Sequence, residues 1–432
     1  MVLQGWGRYP RTEGLTLWPS ALGDIPQMLG QPLIPRGYGR SYGDSSLAPV
    51  ALETRRCNHL LAFDQSNGLL HCQAGASLSD ILAVFVPLGW FLPVTPGTRF
   101  ISVGGAIASD VHGKNHHVDG CFSTCLEEME LLLADGSRVT CSRSERGELF
   151  RATCGGMGLT GIILTAKLRL RRVPSAFIEQ TTHKASNLDE ALDLFERHHA
   201  STYSVAWIDC LARGKALGRS LLMLGEHSPE GGLQLPVRPA LGIPMDMPGC
   251  LLNRYSIQAF NALYYNRIQR PESHQRVSYE SFFYPLDGIN QWNRLYGREG
   301  FVQYQFVIPR EAGLLGLRAI LKRIADSQRG SFLAVLKAFG PHNGNLLSFP
   351  LEGYTLALDF KMEPNLLPLL DELDAMVLDH GGRLYLTKDA RMGAATFKRS
   401  YPNWQQFQSV RASVGALGRF ASLQSRRLGL DE

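Results

Sequence analysis

The stretch TPGTRFISVGGAIASDVHGKNHH, residues 95–117, decides the reading of this chain. Its Gly104-Gly105 pair enters a run of small residues, so a helix starting there can press its N-terminus closely against a flat or anionic ligand. A polar string, His112 to His117, follows at once. Upstream, PRGYGRSYGD (35–44) places Gly37, Gly39 and Gly43 where backbone N–H groups can converge on an anion, because no Cβ blocks the approach. Downstream, ATCGGMGLTGIIL (152–164) is a third glycine-rich turn entering an apolar run. One such turn is ordinary chain punctuation. Three in one region, each at an element boundary, predict a single extended ligand cradle. None is a GxGxxG dinucleotide fingerprint opening a long helix, and none carries the Gly-Lys-Ser/Thr of a triphosphate-binding loop.

Composition sets the bounds. With 432 residues, 44% hydrophobic and 19% charged, the chain is globular and long enough for two or three domains. A dispersed net charge of +5 suits an anionic ligand and does not argue for nucleic acid. The longest apolar run, 81–94, is broken by Pro87, Gly89 and Pro93 and falls short of the ~20 residues of a membrane span. No apolar leader with a small-residue cleavage site opens the chain, which points to the cytoplasm or the inner-membrane surface, with the periplasm as the alternative. The eight cysteines (57, 72, 121, 125, 141, 154, 210 and 250) lack paired zinc spacing and read as free thiols, with no metal expected.

Strand 69–73 leads to a helix capped by Ser77, with Asp80 three residues on. EMELLLADGSRVTCS (128–142) predicts a hairpin closed by a two-residue Asp135-Gly136 turn. A helix over 148–154 and a half-buried strand over 162–170 follow. From 174 the texture changes: a helix over 187–199, strands over 204–210 and 217–224, then the Pro- and Gly-dense stretch 228–250, which is either a lid, a membrane-facing flap or a bare connector. FVQYQFVIP (301–309), SFLAVLKAFG (331–340), YTLALDF (354–360) and RLYLT (383–387) read as strands, with helices over 310–328 and 366–380 between them. The expected fold class is α+β. It comprises a two-lobed cradle domain over 1–173, a substrate or cap domain over 174–403 built on a sheet with helices on one face, and a C-terminal segment, 404–432, returning to the first domain. Gln303 and Gln305 share one strand face with Tyr304 on the other. Lys337 sits in an apolar strand, where a lysine either meets an anion or snorkels.

RGYGRSYGD, TPGTRFISVGGAIASDVHGKNHH and ATCGGMGLTGIIL together resemble the FAD-binding domain of the vanillyl-alcohol-oxidase type of flavoprotein. Pro285-Leu286-Asp287, Trp292-Asn293-Arg294, VQYQFVIP, KAFGPHNGNLLSFP and YLTKDARM are similar to motifs of the decaprenylphosphoryl-ribose 2′-oxidases within that superfamily, and the likeness covers most of the chain. The resemblance implies that Arg36, Gly37, Tyr38, Gly39, Arg40, Ser41, Tyr42 and Gly43 surround the FAD pyrophosphate. Gly97, Thr98, Ser102, Gly104, Gly105 and Ser109 would line the other side of the cofactor, with His112, Gly113 and Asn115 near the ring system. Ile162 or its neighbours would meet the adenine end, Gly158 would also contact the cofactor, and Lys388 would face the pyrimidine edge of the flavin. Relatives that attach flavin covalently have a histidine where this chain has Arg40, so non-covalent FAD is expected.

The same resemblance gives catalytic roles to Lys388, His112 and Tyr42, and substrate contacts to Lys114, Gln303, Gln305, Lys337, Thr355 and Ala357. Mycobacterial members carry a cysteine at the position of Ala357 and usually an asparagine at that of Thr355. The implied reaction oxidises the 2′-hydroxyl of a polyprenyl-phosphoryl-ribose to the keto sugar, the first half of an epimerisation that makes an arabinose donor for the cell envelope. A short-chain reductase partner and a quinone or oxygen acceptor are implied with it. Two rivals stand beside this reading: an alditol or aldonolactone oxidase acting on soluble sugars, and a flavin-binding scaffold without turnover.

Overall fold

The computed structural model describes residues 1–236 and 241–431. The centre of the Pro- and Gly-dense stretch, 237–240, lies outside the described residues; beyond it Leu241–Gly242 pairs with Ile289–Asn290.

The N-terminal region contains a parallel three-stranded sheet, in order Leu15–Leu17, Val50–Glu53, Ile34–Arg36. A five-stranded antiparallel sheet adjoins it, in order Arg138–Ser142, Leu126–Leu132, Ile162–Arg169, Leu69–Gln73, Leu60–Asp64. The two meet through one apolar cluster in which Val50 and Leu52 pack with Leu132, Ile162 and Leu164. Helix Leu78–Phe85 starts where the Ser77 hydroxyl accepts from the Asp80 amide at 3.0 Å. Helix Val103–Ala108 starts the same way, Ser102 accepting from the Gly105 amide at 3.1 Å. Ser77 and Ser102 pair as an isolated bridge, so the two helix starts lie side by side. The 126–142 hairpin forms, but its loop has three residues: Leu133 and Ser137 bond across Ala134-Asp135-Gly136, and Gly136 takes φ +86°. A left-handed glycine at the third loop position closes such a hairpin as well as an Asp-Gly two-residue turn does.

The second large element is an eight-stranded antiparallel sheet, in order Glu272–Ser278, Phe177–Ala185, Ser220–His227, Tyr203–Ile208, Ala334–Phe339, Gly353–Lys361, Phe301–Pro309, Arg383–Leu384. Helices Leu188–Arg197, Gly313–Ser327 and Leu366–Asp379 pack on one face and against one another. The alternate side chains of the other face look toward the glycine turns. RLYLT is strand only over Arg383–Leu384. The amide of Tyr385 still bonds the Gln305 carbonyl, after which Lys388 and Asp389 both donate to the Tyr385 carbonyl and the chain turns. Lys388 therefore stands on a turn instead of a strand end.

The C-terminal helices clasp both regions. Arg411, wholly buried, donates to the carbonyls of Leu159 (3.1 Å) and Phe420 (3.0 Å). Arg427 pairs with Asp44 at 2.7 Å and Asp389 at 2.9 Å, joining the end of the first glycine loop to the turn that carries Lys388. Partnered buried charges of this kind fix a geometry more than they add stability.

Candidate active site

The glycine turns and the open face of the eight-stranded sheet enclose one cavity of about 1090 Å³. That is the size of a large cofactor pocket. On the first wall the loop after Ile34–Arg36 reaches the start of helix Val103–Ala108 so closely that a Cβ on Gly37 would lie 2.3 Å from Ser102 Oγ. Gly39 needs its freedom for a different reason, φ +62°. The amides of Tyr38, Gly39, Arg40 and Ser41 donate to no acceptor among the described residues, although all four line the cavity. Unsatisfied backbone donors in a cavity wall, beside a helix start, are what an anionic diphosphate requires. The Arg36 guanidinium is not available for that purpose. It is buried against Glu53 at 3.3 Å and donates to the Gln4 carbonyl at 2.8 Å, so its charge braces the loop from behind. Arg40 lies over the Trp6 ring, 4.1 Å from its centroid.

The opposite wall follows the two-residue period of the strands. Gln305 and Val335 both face Ala357 in the sheet register, and Gln303 faces Asp359. Gln303, Gln305, Val335, Lys337 and Ala357 all line the cavity. Gln305 donates its amide to His112 Nε2 at 3.2 Å, fixing that nitrogen as the acceptor, while Nδ1 is buried with no partner. The His112 ring is packed among Phe339, Phe349 and Tyr385. Burial, reinforced by Lys337, His116 and Lys388, holds its pKa well below the ordinary range, so the imidazole is neutral. Asp110, just before it, takes hydrogen bonds from Asn343, Asn345 and Ser348 at 2.7 to 2.8 Å. The PHNGNLLSFP segment thus ties the loop that carries His112 to the sheet.

Three lysines project into the cavity. Lys388 Nζ stands 4.0 Å from the centroid of the Tyr42 ring, and the Tyr42 amide donates to the Thr387 carbonyl at 3.2 Å. Lys114 lies over the Phe282 ring at 4.4 Å and donates to the Phe282 carbonyl. Burial pulls Lys388 down to about 7, with Lys337 adding to the effect and Asp359 opposing it. Burial likewise brings Lys114 to about 7, helped by Lys337, and Lys337 to about 8. Beneath Lys388, burial raises the Asp359 carboxyl to about 7. One of its oxygens accepts from Gln303 at 2.5 Å and the other has no partner.

These shifts have a definite sign in stability. Each lysine binds its proton more weakly folded than unfolded, so between about 7 and the ordinary 10.5 the unfolded chain holds more protons and stability rises with pH. Asp359 works the other way between 3.8 and about 7. The flavin-free protein is therefore expected to show a rising thermal midpoint from pH 7 to pH 9, measured by calorimetry. Lys337→Met should flatten that rise; an unchanged slope in the variant would remove the lysines as its cause.

Four expected site residues are not in the cavity wall. Gly43 packs so tightly on Asp389 that a Cβ would meet its carbonyl at 1.8 Å. Asn115 is buried and donates to the Pro93 carbonyl at 2.7 Å and to Asp119 at 2.6 Å, so it shapes the Gly113 turn from behind. Ile162 points into the apolar cluster between the two N-terminal sheets, and its neighbour Ile163 lines the cavity. Thr355 is bonded to the Phe306 carbonyl at 2.7 Å and to Gln305 at 3.2 Å, one layer behind the surface. The other expected residues, from Arg36 to Tyr42 through Gly97, Thr98, Ser102, Gly104, Gly105, Ser109, Gly113 and Gly158, are in the wall. Sequence reading did not find Trp6, Tyr385, Thr387 or Asp359. Of these only Asp359, an acid inside an apolar strand, carried a signal.

Residues 25–142 match the model of an FAD binding domain. The decaprenylphosphoryl-β-D-ribose oxidase of Mycolicibacterium smegmatis is 36% identical over 99% of this chain and 97% of its own length. The chain belongs to the decaprenylphosphoryl-β-D-ribose oxidase family. L-gulonolactone oxidase of Mus musculus is 26% identical over 45% of this chain, and the Δ(24)-sterol reductase of Rattus norvegicus 30% identical over 30%. Membership in the oxidase family makes this chain an FAD-dependent oxidoreductase, and the cradle fits that cofactor: free amides at the first loop, glycines where the walls converge, and lysines deeper in. In this member of the family no side chain beyond a methyl group projects from position 357, between Gln305 and Val335.

Proposed function

We propose that this chain oxidises the 2′-hydroxyl of a polyprenyl-phosphoryl-β-D-ribose to the 2′-keto sugar. The observation that carries the reading is one cavity with free amides at one end and, at the other, three lysines that form no ion pair with a carboxylate among the described residues. Bound FAD supplies the two-electron acceptor. The chain's residues do the rest. Gln303 and Gln305 orient sugar hydroxyls from the sheet face. Lys337 and Lys114 meet the phosphate, with their charge restored by it. Arg294, also in the cavity wall, donates to the carbonyls of Ile243 and Pro244 and holds that segment in place. Neutral Lys388 Nζ accepts the hydroxyl proton, and the ammonium so formed stands where negative charge arrives. His112, neutral and bonded to Gln305, positions that glutamine.

The roles follow a division into a cofactor domain over 1–173, a substrate domain over 174–403 and a C-terminal segment over 404–432. The keto product needs a separate reductase of the short-chain type to complete an epimerisation toward an arabinose donor, and a quinone or oxygen must reoxidise the cofactor. No helix among the described residues is long and apolar enough to cross a membrane. A lipid substrate still requires contact with one, and the inner-membrane surface is the site we propose.

Anaerobic addition of a polyprenyl-phosphoryl ribose should bleach the flavin band. Bleaching by gulonolactone or xylitol alone would favour the soluble-sugar oxidase, and no bleaching by any sugar would favour a scaffold. Arg40 over Trp6 offers no alkylating partner, so acid precipitation is expected to leave FAD in the supernatant and a colourless pellet; colour retained by the polypeptide would contradict this.

A further inference from the structure

The cavity does not end at the lysines. It continues across strands Tyr203–Ile208, Ser220–His227 and Glu272–Ser278 of the eight-stranded sheet, past Val205, Trp207, Met223 and Val277, to exposed lining residues at Arg267 and Gln275. Helix Arg254–Asn266 lies along this arm. Its inner side is anchored by Asn261, which donates to Asp209 at 2.7 Å, and by Tyr264, which packs on Trp207 at 4.8 Å. Its outer side is unusual. Tyr255 and Leu263 fall on one exposed stripe, Leu263 with 75% of its surface open to water, and the partly exposed Phe260 lies at its edge, stacked on Tyr264. Leu241, Met245 and Leu251, in the segment before the helix, are also exposed. These six are among sixteen exposed large apolar side chains on the described residues, yet they occupy 241–263 alone. A concentration of that kind marks an interaction surface.

The charges beside it have one sign. Arg254, Arg267 and Arg270 make no ion pair with a carboxylate among the described residues. The single acid of this segment, Asp246, is neutralised by Arg8 at 2.6 Å. An apolar stripe flanked by unpaired arginines is complementary to an anionic bilayer, where apolar side chains enter the acyl boundary and cations meet the headgroups.

We infer that helix Arg254–Asn266 and the 241–251 segment form a membrane-docking face that sets the apolar arm of the cavity against an anionic lipid surface. The inference deepens the proposed function, on which it rests for the identity of the substrate: a polyprenyl chain drawn from the bilayer passes directly into the arm lined by Trp207 and Met223. The ribose end then reaches the lysines without the chain crossing water.

The holoenzyme and a Tyr255→Glu/Leu263→Glu double variant should be spun with vesicles of phosphatidylcholine, with and without phosphatidylglycerol. The wild type is expected to bind the anionic vesicles and to lose them as salt rises. The double variant is expected to bind about tenfold more weakly. It should keep its flavin and its turnover of a water-soluble, short-chain phosphoryl ribose, because neither residue lines the cavity. Wild type that ignores anionic vesicles, or a variant that binds like wild type, overturns the inference. So does a patch that proves to join two copies of the chain, seen as a dimer that the variant dissociates without any change in vesicle binding. Failure of the catalytic reading looks different: vesicle binding persists, and no ribose lipid, short or long, reduces the flavin.

Discussion

Replacing Lys388 with methionine is expected to lower the rate of flavin reduction roughly a hundredfold to a thousandfold, with the yellow cofactor still bound. The side chain stands over Tyr42, on a turn whose backbone is fastened to the first glycine loop by the Tyr42 amide. Its position is thus set by the same loop that cradles the cofactor. Burial brings its pKa to about 7, so a substantial fraction is neutral at physiological pH and able to take a proton. A base must be unprotonated to act, so wild-type reduction should accelerate as pH rises through about 7. In Lys388→Met that limb should vanish. A variant that lost activity only through misfolding would instead lose flavin or melt early. Full-rate reduction in Lys388→Met would remove the proposed role.

The second large effect concerns Gly37→Val, which is expected to give folded but colourless protein. A Cβ there would lie 2.3 Å from Ser102 Oγ and 3.2 Å from Ser102 Cβ, so one of the two converging turns has to retreat. If Ser102 moves, helix Val103–Ala108 loses its cap, worth about 1 kcal/mol. If the first loop moves, its free amides no longer converge. In either case FAD affinity should fall about a hundredfold, or about 2.7 kcal/mol. Equilibrium titration of apoprotein with FAD measures this. Gly30→Ala is the matched control, because a Cβ at Gly30 meets nothing within 4 Å and the residue lies outside the cavity wall, so fold and FAD affinity should both be unaffected. Wild-type FAD affinity in Gly37→Val would mean that the two turns do not act as one cradle.

Much of this site was legible because its physics is local. Glycine turns, the Ser77 cap and the alternation of Gln303, Tyr304 and Gln305 depend on spacing alone. The alternation is confirmed from both sides: both glutamines line the cavity, and the Tyr304 hydroxyl donates to Asp374 at 3.0 Å on the helical face. What the sequence hid depends on packing between distant segments. Asn115 and Gly43 sit within the right motifs, but neighbours 22 and 346 residues away turn them into supports, Pro93 for the first and Asp389 for the second. RLYLT alternates like a strand, yet after a last bond from the Tyr385 amide to Gln305 the chain turns, and the Thr387 carbonyl accepts from Tyr42 of the first glycine loop. Helix Arg254–Asn266 escaped notice because apolar residues occur on both of its sides, Ile257 inward and Leu263 outward, which erases the period that would reveal it. Asp359 shows in the sequence only as an acid inside an apolar strand, because the Gln303 amide that it accepts from and the nearby Lys388 lie on other segments.

The most direct test of a shared cavity for cofactor and ribose lipid is a single anaerobic turnover with substrate deuterated at C2′. The account predicts slowed flavin bleaching and a product lighter by the hydroxyl hydrogen and the deuterium. A cofactor that bleaches equally fast with either isotope and leaves the sugar mass unchanged, or a protein that takes up no FAD, would contradict it.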